Sequence, residues 1–328
     1  MKKYLSLFIV CIMIISLLAS CDFLPEDIQF CNVEFYVDGE LYVSQTAIIG
    51  TPISMPFAPT KENHIFVGWY LEGNFLNYAY DFSTPVILDT KLHARFTPDA
   101  TKITNMITFE TMKSLVTVIN KCYNTAMGGF IETESSTSQG SGVIIDISDG
   151  YCFVLTNYHV ASFIEKYSKQ ELTIEDAWGN QYKASYYKTP SNSVYAMDPE
   201  YDLALLCFKY EENTKHPLAE IKMGDDPKVG DFVVSLGAPT NQRNAISYGE
   251  VITYKKLQAS DENTVSNVTF DIIYHNAFID HGSSGGPLVN ATGYLVGLNF
   301  AGFESNKHGC AIPLSKIVEF LNQYVYEK

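Results

Sequence analysis

Six consecutive residues, Gly282-Ser283-Ser284-Gly285-Gly286-Pro287, place hydroxyls in a backbone that glycine leaves free to turn sharply. A serine hydroxyl attacks a carbonyl carbon only when a base takes its proton, and the base needs a partner that fixes its ring and offsets its acquired charge. Two upstream segments carry those residue types. Thr156-Asn157-Tyr158-His159-Val160 offers an imidazole, and Tyr201-Asp202-Leu203-Ala204-Leu205 offers a carboxylate at the start of an apolar run. With His159 as general base, Asp202 as its orienting acid and Ser284 as nucleophile, the set could perform acyl transfer through a covalent intermediate. Ser284 is preferred to Ser283 because the glycines follow it directly, so substrate can approach closely. The N–H groups of Gly282 and Ser284 would then converge where an oxyanion develops, a term of ~3 kcal/mol per donor.

These groups need rigid carriers. Gly140 to Asp146 and Tyr151 to Thr156 flank a Ser148-Asp149-Gly150 turn, which predicts a hairpin whose second strand delivers His159 at its end. Leu203 to Phe208 reads as a buried strand beginning at Asp202. Phe109 to Cys122 fits either a short helix or an entering strand, with apolar residues at Met112, Leu115, Val116, Val118 and Ile119. Ile131 to Gln139, rich in Ser, Thr and Glu, reads as a surface loop.

The chain of 328 residues, 46% of them hydrophobic, is long enough for two or more folded units. Lys2 and Lys3 precede a nearly continuous apolar run from Tyr4 to Leu18, the pattern of a secretory signal. The run stops at Leu18-Ala19-Ser20-Cys21, which resembles the bacterial lipobox and implies a lipidated Cys21 and a membrane anchor. An uncleaved N-terminal helix is the rival reading; both put the bulk of the chain outside the cytoplasm. A net charge of −15 argues against nucleic acid as a partner. Cys31, Cys122, Cys152, Cys207 and Cys310 show neither paired spacing nor a CxxC, so no disulfide framework or zinc site is expected; Cys152 and Cys207 read as buried free thiols. Asp225-Asp226 before Pro227 reads as a solvated turn rather than a metal site, and no cofactor is implied.

Residues 22–29 read as a tether. Beyond it, Phe35-Tyr36-Val37-Asp38-Gly39, Gly50-Thr51-Pro52-Ile53, Phe66-Val67-Gly68-Trp69-Tyr70 and Leu92-His93-Ala94-Arg95-Phe96 together resemble the Listeria-Bacteroides repeat, over residues 30–97. The resemblance implies a small β-grasp-like module of bacterial surface proteins, a spacer or a site for a cell-surface ligand, with its aromatics read mainly as core. Residues 98–110, polar with Pro98, read as a linker to a second domain over 111–328.

That second domain resembles the HtrA branch of trypsin-like serine proteases from Gly140 to Ile317. The likeness rests on Gly140-Ser141-Gly142-Val143-Ile144-Ile145, Leu155 to Val160, Tyr201 to Leu205, Val229-Gly230-Asp231, Leu236-Gly237-Ala238-Pro239, Gly293 to Asn299 and Ala311-Ile312-Pro313. It implies a mainly β fold, two six-stranded barrels with the active site between them and a closing helix over Leu314 to Tyr324, acting on protein or peptide substrates. No cysteine follows His159, so a disulfide beside it is not implied. Ser283 stands where the HtrA family has Asn, and the PDZ domain typical of HtrA is not expected after the last barrel strand. The family's alignment puts Phe278, six residues before Ser284, near the base of the specificity pocket, with Leu298, Asn299 and Phe300 in a wall and His281 near substrate. No acid lies there, which argues against a preference for Lys or Arg and for a small or apolar residue. Besides a membrane-anchored endopeptidase outside the cytoplasm, two other classes fit: a catalytically silent protease fold used for binding, and a surface adhesin.

Overall fold

In the computed structural model of the protein, the described residues are 28–72, 79–126, 131–190, 193–211, 215–238, 245–257, 267–279, 282–303 and 307–326. The N-terminal leader with Cys21 and the loop residue His281 lie outside them. The chain divides into two compact units, Met1–Thr97 and Pro98–Lys328.

In the first unit, β1 (Phe30–Val37) and β2 (Glu40–Ile48) form an antiparallel hairpin. Asp38 and Gly39 close it, both left-handed at φ 49° and 88°, as a two-residue turn between twisted strands requires. With β3 (His64–Leu71) and β4 (Thr90–Pro98) the sheet order is β2-β1-β4-β3, and β1 runs parallel to β4. Alternation along β1 sends Cys31, Val33 and Phe35 into the core with Trp69 and Leu92, where the Phe35 and Trp69 rings meet edge to face at 4.9 Å.

The second unit holds two barrels. The first is built from β5 (Leu115–Ala126), β6 (Ile131–Ser148), β7 (Tyr151–Thr156), β8 (Lys169–Asp176), β9 (Gln181–Tyr186) and β11 (Leu203–Lys209), with the short β10 (Met197–Asp198) added at an edge. Pairing of β11 with both β7 and β9 closes it. The second, β12 (Phe232–Gly237), β13 (Ala245–Lys255), β14 (Ile272–His275), β15 (Pro287–Asn290), β16 (Leu295–Phe303) and β17 (His308–Pro313), closes in the order β12-β13-β14-β17-β16-β15. In the first barrel β7 and β11 read as nearly unbroken apolar runs because both their faces are covered. On β11, Ala204, Leu206 and Phe208 fill the barrel interior, while Leu203 and Leu205 join a core shared with the second barrel.

In three segments the structure adds to or corrects the sequence-based reading. Residues 98–110 are not an extended linker: Asp99 caps α1 (Ala100–Phe109), accepting from the Lys102 N–H, and Ile103 and Ile107 one turn apart anchor it in the shared core. The open question over 109–122 is settled by a 3-10 turn, Thr111–Lys113, followed by β5. The Ser/Thr-rich stretch after Ile131 is strand rather than loop, because it pairs with β5 from Ala126↔Ile131 inward. The β6 strand of this ribbon is largely exposed, so polar residues there are compatible with pairing.

The closing helix α3 (Leu314–Tyr324) buries Leu314, Ile317, Phe320 and Leu321, one stripe of the helix, at about 2 kcal/mol per side chain. Asp226, read from the sequence as a solvated turn residue, accepts from the Ser315 N–H at 2.9 Å and so satisfies a first-turn donor of that helix. The five described cysteines are free; burial pushes the Cys152 thiol up to about 12, whereas Cys207 is only half-buried. Among the described residues no helix is long and apolar enough to cross a membrane.

His275, fully buried on β14, faces the Asn299 amide and the Ala277 backbone without reaching hydrogen-bond geometry. Burial pushes its imidazole down to about 4, and His308 nearby adds to the effect. An unfolded imidazole takes up its proton near ~6.5, so below that pH the unfolded chain binds a proton that the folded chain refuses. The stability this neutral ring confers is therefore complete above about pH 6.5 and lost progressively toward pH 4, by about 3 kcal/mol in all. The urea midpoint is expected to fall between about pH 7 and pH 4.5 by less in His275→Leu than in the parent. Equal falls would remove His275 from the account.

Candidate active site

β7 ends at Thr156, and the chain turns at once into the one-turn helix α2 (Tyr158–Ala161), which carries His159. The imidazole thus stands on a helix beside the strand end rather than on the strand itself. Antiparallel pairing of β7 with β11 sets Ala204 opposite Thr156, which brings Asp202, just before β11, alongside α2. Asp202 is only 2% exposed and its carboxylate faces the ring. Because a carboxylate only accepts, His159 Nδ1 carries the proton, donating to Oδ2 at 2.8 Å and to Oδ1 at 3.0 Å. The His159 backbone N–H also donates to Oδ1 at 3.0 Å. These charge-assisted contacts offset the burial of the carboxylate and leave Nε2 as the acceptor.

The backbone of Asp202 is held as firmly as its side chain. Its carbonyl accepts from the Tyr158 N–H and from the Asn157 side-chain amide, each at 3.0 Å. Its φ is +52°, a left-handed conformation costing on the order of 1 kcal/mol, which Asp and Asn tolerate better than other side chains do.

Ser284 lies between β14 and β15 in a loop lodged against the first barrel. Its carbonyl accepts from the Ser141 N–H at 2.7 Å. A Cβ added at Gly140 would lie within 2.7 Å of both Val160 methyl carbons and 3.0 Å from the Ser284 carbonyl oxygen, so the residue after His159 and the backbone of Ser284 crowd a single point. Gly285 is indispensable for another reason: at φ +84° its added Cβ would sit 2.1 Å from the Ser141 carbonyl oxygen. The glycines of the motif therefore permit contact between loop and barrel.

Gly285 N–H donates to the Asn299 carbonyl at 2.8 Å and Gly286 N–H to the Ser283 carbonyl at 2.9 Å. The N–H groups of Gly282 and Ser284 have no hydrogen-bond partner among the described residues. The Ser284 hydroxyl donates to the Phe300 carbonyl at 3.2 Å, not to His159. A bulge in the β16–β17 pairing between Asn299 and Ala301 skips Phe300, and β15 pairs with β16 only as far as Leu298. Asn299 is still engaged on the Ser284 side, its carbonyl by the Gly285 N–H and its N–H by the Gly286 carbonyl, and beyond it the edge of β16 is without a strand partner there among the described residues.

The residues assigned to a specificity wall are distributed unevenly. Leu298 is fully buried in the core shared by the barrels. Asn299 is also fully buried, its amide donating to Ser235 Oγ at 3.0 Å and to the Pro287 carbonyl at 3.3 Å, while Phe300 is buried and Phe278 is 39% exposed. Ile279, which the sequence reading passed over, packs against two glycines beyond that wall: an added Cβ at Gly302 would lie 2.8 Å from its Cγ1, and one at Gly309 3.1 Å. Gly302 and Gly309 are paired across β16 and β17, a signal that could have been read only with the register in hand.

Residues 140–298 match the family described as a trypsin-like peptidase domain, and residues 32–95 match the Listeria-Bacteroides repeat domain. The mouse serine protease HTRA4 is 34% identical over 191 residues, covering 58% of this chain and 35% of that protein. A probable periplasmic serine protease do/HhoA-like of Haemophilus influenzae is 35% identical over 164 residues, 49% of this chain and 30% of that protein. The chain thus spans about a third of the length of the curated relatives it matches. Among solved structures, an HtrA-type protease AlgW with a tripeptide superposes at TM-score 0.50 with 26% identity over 69% of this chain and 64% of that one. A second, the Rv3671c protease of M. tuberculosis in its active form, shares the fold at TM-score 0.50 and 21% identity over 70% of this chain and 88% of that one.

Proposed function

We propose that this chain, carrying a trypsin-like peptidase domain with HtrA-type relatives, is a serine endopeptidase that works through His159, Asp202 and Ser284. The observation that carries the reading is the buried Asp202 carboxylate clamped on His159 Nδ1, which leaves Nε2 as the basic nitrogen. In the reaction the Ser284 hydroxyl must turn from the Phe300 carbonyl to Nε2, and the 3.2 Å contact it gives up is long for an O–H···O bond. Substrate can add as a strand along the unpartnered edge of β16, and its N–H groups would compete for that same carbonyl.

Chemistry then proceeds in two halves. Ser284 Oγ bonds to the scissile carbonyl carbon as its proton passes to His159 Nε2, and the carbonyl oxygen becomes an oxyanion received by the N–H groups of Gly282 and Ser284. The C–N bond breaks as the imidazolium protonates the departing amine, leaving an ester on Ser284. Water repeats the sequence: its proton goes to Nε2, its oxygen bonds to the acyl carbon, and the bond from that carbon to Ser284 Oγ breaks with return of the proton to Oγ. Asp202 stays ionised throughout, holding the ring and offsetting the charge of the imidazolium.

We place the enzyme outside the cytoplasm, tethered through a lipidated Cys21 that follows the apolar run from Tyr4 to Leu18. The name of the Haemophilus influenzae relative as a probable periplasmic protease supports the compartment. One experiment tests both parts: a fluorophosphonate applied to cells expressing the full chain should label it in the membrane fraction, with the adduct on Ser284. Cys21→Ser should move the labelled protein out of that fraction. Absence of any label at Ser284 would favour a silent binding protein, and unchanged fractionation of Cys21→Ser would remove the anchor.

A further inference from the structure

Ser141 is fully buried at the junction of the two barrels and all its polar atoms are engaged. Its N–H holds the Ser284 carbonyl at 2.7 Å, and its own carbonyl accepts from Thr156 Oγ1 at 2.7 Å. Its hydroxyl accepts from the Ala238 N–H at 2.8 Å and donates to the Gly282 carbonyl at 2.7 Å. A hydroxyl has a single proton, and with the Ala238 N–H directed at an oxygen lone pair, that proton is committed to Gly282.

Gly282, at φ +95°, has no side chain to restrict its rotation, and the peptide joining it to Ser283 lies between the two N–H groups assigned to the oxyanion. That peptide carries neither N–H itself, but the planes that bear them are joined at its two ends, so its orientation sets how those planes stand relative to one another. The next plane is held by the Gly286 N–H on the Ser283 carbonyl. On the Gly282–Ser283 plane, the carbonyl is held by Ser141 Oγ. We propose that Ser141 is a positioning residue for catalysis, its hydroxyl locking the Gly282–Ser283 peptide so that the Gly282 and Ser284 N–H groups converge on the oxyanion. The proposal rests on the protease reading above.

Removing Oγ leaves a part-buried carbonyl and a buried N–H without partners and frees the plane to turn. For Ser141→Ala, with kcat normalised to the fraction of sites titrated by fluorophosphonate, a fall of about 10²-fold with KM within about twofold is expected, since a lost oxyanion donor costs 10²–10³-fold. A peptide boronate, whose tetrahedral adduct carries the oxyanion, should bind more weakly by a similar factor. The pH profile should keep its shape because His159 and Asp202 are untouched. Ser141→Thr, which retains the hydroxyl, should recover most of kcat; should the Ala variant fail to fold, Ser141→Cys, with its weaker donor, should fall between the Ala and Thr values. A normalised kcat and boronate affinity equal to the parent's in Ser141→Ala, or in Ser141→Cys if that variant replaces it, would overturn the proposal. Failure of the parent itself to label at Ser284 would instead overturn the protease reading beneath it.

Discussion

Ser284→Ala is expected to lower kcat by about 10⁶-fold on any peptide that the parent cleaves, while the protein unfolds at nearly the same temperature. The magnitude follows from how the three groups act together. Without Oγ no acyl ester forms, and neither His159 nor Asp202 retains a catalytic partner, so the loss resembles removal of the whole set. What survives is the pull of the Gly282 and Ser284 N–H groups on a carbonyl attacked by water. Stability should be almost untouched because the hydroxyl makes one long hydrogen bond, to the Phe300 carbonyl, worth at most about 1 kcal/mol. Steady-state kinetics beside thermal unfolding monitored by circular dichroism checks both halves. Residual activity above about a thousandth of the parent's would show that Ser284 is not the nucleophile.

The second large effect belongs to Asp202. Asp202→Asn should cost about 10⁴-fold in kcat with little change in KM and a small change in stability. Asparagine keeps the volume and tolerates the left-handed backbone at φ +52°, so the carbonyl contacts with Tyr158 and Asn157 should persist. What changes is the sense of the contact with the imidazole. An amide NH₂ facing Nδ1 makes that nitrogen the acceptor and moves the ring proton to Nε2, the atom that must receive the Ser284 proton. The imidazolium formed during attack also loses the buried negative charge that offsets it. A loss below about tenfold would mean that Asp202 only supports the fold at the barrel junction.

The tie between Ser141 and Gly282 shows where reading a sequence stops. The two residues are 141 positions apart, and nothing in the type or spacing of a serine between Gly140 and Gly142 announces a hydroxyl aimed at a distant carbonyl. The polar ribbon at Ile131 and the helix at Ala100 were misread for a related reason. Local composition there is polar, but pairing with β5 and burial of Ile103 and Ile107 in the shared core decide the conformation. Ile279 escaped notice because its importance depends on Gly302 and Gly309 being cross-strand neighbours.

The residue types and their order, by themselves, determined which chemistry this protein is equipped for, because an imidazole, a carboxylate and a hydroxyl among glycines each carry a reactivity that no fold can supply. The apolar runs at β7 and β11 likewise determined that those carriers would be buried strands, since consecutive apolar side chains on a strand are stable only when both faces are covered. Only the tertiary structure decided how the groups are aimed: which oxygens of Asp202 meet Nδ1, that the Ser284 hydroxyl rests on Phe300, and that Ser141 spans the two barrels. Orientation depends on hydrogen bonds between segments far apart in the chain, and their geometry is set by closing the barrels rather than by any local preference.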